Sequence, residues 1–151
     1  MGAAARLDSI PRVFPGDQSS TVPVEGDWRS ERLIALRGAS SVVANERDAI
    51  LSRTTELLEA IMERNALRTS DLVSAIFTVT GDLNAEFPAV AARELGFDQV
   101  PLLCAQEIPV PGSLPLVVRV LLHAYAPPGH RAQHVYLYEA RALRADLEAA
   151  Q

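Results

Sequence analysis

The sequence predicts an α+β fold: a five-stranded mixed sheet with two main helices packed on one face. Three observations predict it. Five short segments carry β-branched residues or strict alternation, two segments between the first three carry helical spacing, and the last three strands follow one another with only loops between them. The resulting order, β-α-β-α-β-β-β, gives neither a fully parallel nor a fully antiparallel sheet.

The first strand is expected from Arg32 to Ala39, where alternation puts Leu33, Ala35 and Arg37 on one face. A helix follows, capped by Asn45, with Glu46 and Asp48 in its first turn and Ile50, Leu51, Thr54, Leu57, Leu58, Ile61 and Met62 at helical spacing up to Asn65. Thr69-Ser70-Asp71 turns the chain into a second strand, Val73–Thr80. After Gly81-Asp82 comes the second helix, with Pro88 near its first turn and Gly96 just past its end. The third strand spans Val100–Glu107, the fourth Leu116–Leu122 and the fifth His134–Leu143, separated by loops rich in Pro and Gly. Residues 1–30 are rich in Pro, Gly, Ser and Asp without a sustained period, which predicts an extended, disordered arm. Residues 31–147 form the folded domain and 148–151 a tail.

A chain of 151 residues accommodates one domain with a real core. Net charge of −5 argues against nucleic acid as a partner. No apolar run approaches the roughly 20 residues of a spanning helix, so no membrane partner is expected. The start, MGAAARLDSIPRVFPG, lacks the apolar segment of a secretory signal, and a single cysteine, Cys104, suits a reducing compartment; a cytoplasmic protein is expected. All 14 basic residues are arginine. Any anion site must therefore use guanidinium groups, main-chain N–H groups or helix N-termini.

Most chemical constellations are thin. His123, His130 and His134 are the three histidines, and two lie in or beside a Pro/Gly loop, a poor basis for a metal site. Cys104 has no signalled base partner and reads as a buried thiol. Gly81, Gly96 and Gly112 stand singly, so no phosphate-cradling loop is formed. Asp82 with Glu86 reads as a solvated turn and helix start before it reads as an acid–base pair.

Arg119 is different. In LPLVVRVLL, residues 114–122, it is the one charge among aliphatic neighbours, and an unpaired buried charge costs several kcal/mol or more. Alternation sets it beside Val117, Leu121 and His123, which is not a polar face. Glu107 is the obvious carboxylate to fix it. Two readings stay open from pattern alone, a water-facing residue and an anion grip. The sheet face carrying Arg37, Arg119 and Tyr136 has no helix to cover it, which predicts an oligomer.

The ordered chain closely resembles the trimeric, barrel-forming type of monofunctional chorismate mutase, and not the all-helical type. The resemblance rests on Leu36-Arg37-Gly38-Ala39, Thr80-Gly81-Asp82-Leu83-Asn84-Ala85-Glu86-Phe87-Pro88-Ala89, Ala92-Arg93-Glu94-Leu95-Gly96, Val100–Glu107, Arg119-Val120, and His134-Val135-Tyr136-Leu137 followed by Leu143-Arg144. It implies a homotrimer whose sheets form a pseudo α/β-barrel, with active sites between subunits. It implies conversion of chorismate to prephenate, towards phenylalanine and tyrosine, by a [3,3] rearrangement that takes no cofactor and no metal. Carried over by position, Arg37, Glu107, Arg119, Tyr136 and Leu143 resemble one subunit's share of the pocket, and Phe87, Ala89, Arg93, Leu102, Leu103 and Cys104 the neighbour's. Arg119 would address the ether oxygen and a carboxylate, Arg37 and Tyr136 a carboxylate, and Glu107 with the Cys104 main chain the ring hydroxyl, while Arg93 and Arg144 sit at the mouth. Two positions depart from the family: Val90 stands where lysine is frequent, which is expected to weaken dianion attraction, and Leu103 where threonine is frequent. The rival readings are an imine-deaminase-like trimer of similar architecture and a non-catalytic trimer binding a small carboxylate.

Overall fold

A computed structural model describes residues 30–144. Apart from Ser30, the expected arm, and with it the tail at 148–151, lies outside the described residues. Strand β1 spans Arg32–Ser41, helix α1 Arg47–Arg64, β2 Leu72–Val79, α2 Ala89–Glu94, β3 Leu102–Gln106, β4 Val117–Ala126 and β5 Val135–Leu137. Short 3₁₀ segments at Thr69–Asp71 and Tyr138–Arg144 complete the order. The sheet runs β3-β2-β4-β1-β5. β4 pairs antiparallel with β1 and β2, while β3 lies parallel to β2 and β5 parallel to β1. The mixed α+β sheet expected from the sequence is the sheet that forms.

β4 anchors the sheet because its alternation is clean. Val118, Val120, Leu122, Ala124 and Ala126 are buried on one side, and Arg119, Leu121 and His123 stand on the other. Helix α1 closes the first side with Leu57, Leu58 and Ile61 against Leu36, Phe77 and Leu122, and with Ile50 against Val42 and Val118; all four helix residues are fully buried. The helix can come this close because β1 carries Gly38. A Cβ there would lie 2.6 Å from Ile61 Cδ1 and 3.1 Å from Leu57 Cδ1. Both α-helices lie on this side; among the described residues no α-helix lies on the opposite face, where the 3₁₀ segment packs Ala140 against Ala39 and Val117 and leaves the rest open.

Three of four details correct the sequence reading. Asn45 does not cap α1: Glu46 occupies the cap position without a side-chain hydrogen bond, and Asn45 bonds across the chain instead. The second helix agrees with that reading: six residues long, it starts after Pro88 and ends just before Gly96. The fourth strand extends to Ala126, since β1 pairs along its whole length. The fifth strand stops at Leu137, because Tyr138 turns left-handed at φ 54° and the chain enters a 3₁₀ segment.

Candidate active site

Arg119 lies on the uncovered face, level with Thr78 of β2 and Ala39 of β1. Its Nη1 donates to Glu107 Oε2. Glu107 itself is held from two directions. Its main-chain N–H donates to the Val79 carbonyl at 2.9 Å, adding one rung beyond the end of β3, and its Oε1 accepts the Thr78 hydroxyl at 2.7 Å. Both charged side chains are largely shielded, 29% and 19% exposed. The guanidinium among aliphatic neighbours is therefore paired with a carboxylate that is itself held in place.

A recess of about 560 Å³ opens on this face, lined by Arg37, Thr78, Arg119, Tyr136, Leu143 and Arg144 among others. The Arg144 guanidinium lies 5.6 Å from the centre of the Tyr136 ring. The 3₁₀ segment that carries Leu143 and Arg144 is pinned to α1 by Tyr138. The Tyr138 hydroxyl donates to Glu56, and the Arg53 guanidinium lies 3.6 Å from the ring centre. That hydrogen bond lowers the Glu56 carboxyl below the usual carboxylate range and raises the Tyr138 phenol above its own.

A second recess, of about 330 Å³, lies between β3 and the loop before α2 and is lined by Glu86, Phe87, Pro88, Cys104 and Gln106 among others. Phe87 is 67% exposed there. Cys104 is half-buried; burial raises its thiol above the usual range, against the opposing pull of a main-chain hydrogen bond with Ala89 and the charge of Arg93. The thiol is thus kept protonated, a poor nucleophile. Cys104 is level with Phe77 of the core, whereas Thr78 and Arg119 point to the uncovered face. The two recesses lie on opposite sides of the sheet.

The structure thus places Arg37, Arg119, Tyr136, Leu143 and Arg144 in the lining of the first recess, with Glu107 bonded to Arg119, and Phe87 and Cys104 in the lining of the second; Ala89 and Arg93 do not line it and act on it only through Cys104. Leu102 packs against the core. Leu103 turns to the opposite side of β3 from Cys104 and is 59% exposed. The three histidines have separate partners: His123 Nδ1 meets the Ser74 hydroxyl at 3.0 Å, His130 Nε2 meets Asn65 Oδ1 at 3.1 Å, and His134 Nδ1 accepts the Arg37 main-chain N–H at 3.0 Å. Among the described residues no cluster of His, Cys, Asp and Glu could hold a metal ion, and no helix is long and apolar enough to cross a membrane.

Two supporting residues escape sequence reasoning. Thr78 becomes visible only once β2 is in register with β4. Asn45 holds the loop that carries Phe87: its Oδ1 accepts the N–H groups of Asn84 and Ala85 at 2.9 and 3.0 Å, and its Nδ2 donates to Asn84 Oδ1 at 2.7 Å. Asn45→Ala is expected to cost about 1 kcal/mol, partial because the site is exposed. Asn45→Asp, which keeps the acceptor, recovers most of it. Thermal unfolding of the two variants beside the parent checks this.

The model of the family described as chorismate mutase type I matches residues 33–147. The chain is 51% identical over 118 residues to the chorismate mutase AroH of Thermus thermophilus, covering 77% of this chain and 97% of that protein. It is 40% identical over 114 residues to the chorismate mutase AroH of Bacillus subtilis, covering 74% and 90%. A solved chorismate mutase from Clostridium thermocellum superposes with a TM-score of 0.70 at 44% identity, covering 72% of this chain and 98% of that one.

Proposed function

The chain belongs to the type I chorismate mutase family and catalyses the rearrangement of chorismate to prephenate, and from that premise we propose how its two recesses make one site. Three copies pack their uncovered sheet faces into a barrel, and the first recess of one subunit is completed by the second recess of its neighbour. The observation that carries this reading is the Arg119–Glu107 pair, fixed by Thr78 on a face that no helix covers. Its support is geometric: arginines and a tyrosine gather on one side of the sheet, and Phe87 with the Cys104 main chain on the other. The imine-deaminase-like and non-catalytic readings gain no support from the relatives. The reaction takes place in the cytoplasm, which suits the single thiol.

In this site Arg37 and Tyr136 hold a carboxylate of the substrate, and Arg119 spans a carboxylate and the ether oxygen. Glu107 and the Cys104 main chain meet the ring hydroxyl. Arg93 and Arg144 guard the mouth. As the C–O bond lengthens ahead of C–C bond formation, negative charge collects on the ether oxygen. Arg119, held in place by Glu107, meets that charge with little reorganisation. Holding the enolpyruvyl arm over the ring in the reactive chair supplies the rest.

Loss of chorismate absorbance with purified protein tests the activity, and absence of loss above the uncatalysed rate sinks it. Mixing tests the sharing. Arg119→Ala damages the first recess and Phe87→Asp the second, the latter at an exposed position where a carboxylate repels the dianion. Subunits of the two weak variants, unfolded together and refolded one to one, are expected to regain about a quarter of the parent activity, the statistical share of sites with two intact halves in a cyclic oligomer. Activity no higher than the mean of the two variants would show that each site lies within one chain.

A further inference from the structure

We propose that His134 is a positioning residue for Arg37, and that its protonation loosens the grip of the site on its substrate at mildly acidic pH. The inference rests on the reading above, in which Arg37 holds a substrate carboxylate. The geometry is specific. β1 and β5 are parallel, with Gly38 level with Val135, so β5 begins one residue too late to supply a main-chain acceptor opposite Arg37. The His134 ring takes that place, its Nδ1 accepting the Arg37 N–H at 3.0 Å. An amide N–H can only donate, so Nδ1 is unprotonated and the ring is neutral, with its proton on Nε2.

The surroundings favour that neutral form. His134 is exposed as a residue, but the partial burial of its ring lowers its pKa first, and the charge of Arg37 on β1 lowers it further. His130, in the same loop, is turned to Asn65 instead. Because the folded value lies below the ordinary one of about 6.5, the bond is fully present above that pH and is lost as pH falls through the lowered value. Protonation then sets two N–H donors face to face and adds a second cation beside Arg37. The start of the rung slips, and the Arg37 side chain moves with its main chain.

A carboxylate grip is made in ground state and transition state alike, so its loss appears in KM rather than in kcat. His134→Ala is expected to raise KM about five- to tenfold at pH 7.5 with kcat little changed, the scale of one hydrogen bond to a charged-ligand site. His134→Asn places a non-titrating oxygen close to the Nδ1 position and is expected to rescue that KM. Between about pH 5 and 8 the parent's kcat/KM falls on the acid side to a plateau, while His134→Asn stays flat, since the substrate carboxylates remain ionised throughout. An acid limb of equal depth in His134→Asn overturns the proposal. So does a normal KM in His134→Ala. Inactivity of the parent at pH 7.5 instead strikes the functional reading on which it rests. Should the variants not fold, the Arg37 amide resonance of the parent is followed by NMR: a shift whose midpoint coincides with the His134 ring titration supports the coupling, and a pH-independent resonance overturns it.

Discussion

Arg119→Ala is expected to lower kcat for chorismate by about 10²–10³, the 3–4 kcal/mol typical of one lost preorganised donor. The fall belongs in kcat because the charge it meets develops on the ether oxygen only as the bond breaks. A second cost is local. Glu107 keeps its Thr78 hydrogen bond but loses its counter-charge, leaving a shielded carboxylate facing a dianionic ligand. Arg119→Lys is expected to lose at least about tenfold in kcat, since one ammonium cannot span two oxygens in a plane. Steady-state kinetics on the folded variants decides this, and a lysine variant with near-parental kcat would contradict the role assigned to the guanidinium.

The largest stability effect is expected at Phe77. Its ring is fully buried on β2, between α1 and the sheet neighbours Val120 and Cys104. Phe77→Ala removes the ring and leaves a cavity that close-packed neighbours cannot fill, at about 3–5 kcal/mol. The expected fall in Tm is more than about 10 °C at fixed protein concentration, followed by calorimetry. Phe77→Leu, which keeps most of the volume, should cost well under half of that. Activity should fail along with folding rather than before it, because no Phe77 atom faces the recess of Arg119; Thr78, the next residue, does.

Much of this was legible in the sequence because it depends on local pattern. The α1 stripe from Ile50 to Ile61 has the helical period, and β4 announces itself by β-branched residues alternating about one guanidinium. The grouping of Arg37, Arg119 and Tyr136 on one face followed from alternation and from too few helices to cover two faces. What stayed hidden depends on register between distant segments. Asn45 looks like a cap because its neighbours look like a first turn, yet its partners lie 39 and 40 residues away. Thr78 and His134 acquire roles only when β2 meets β4 and β5 meets β1. The fifth strand was overextended because alternation continues past Leu137 in the sequence, while the backbone leaves the sheet at Tyr138.

Asn65 closes α1 and also holds the loop that delivers β5. Its buried amide is used in full: Nδ2 donates to the Ile61 and Gln133 carbonyls at 2.9 Å each, and Oδ1 accepts from the Gln133 N–H at 2.8 Å and from His130 at 3.1 Å. Aspartate has the same shape but cannot donate, so both carbonyls would then face a carboxylate oxygen. The slow hydrolysis by which asparagine ages in stored protein would, at this one residue, release the segment bearing His134 and Tyr136 while leaving the overall outline of the molecule unaltered.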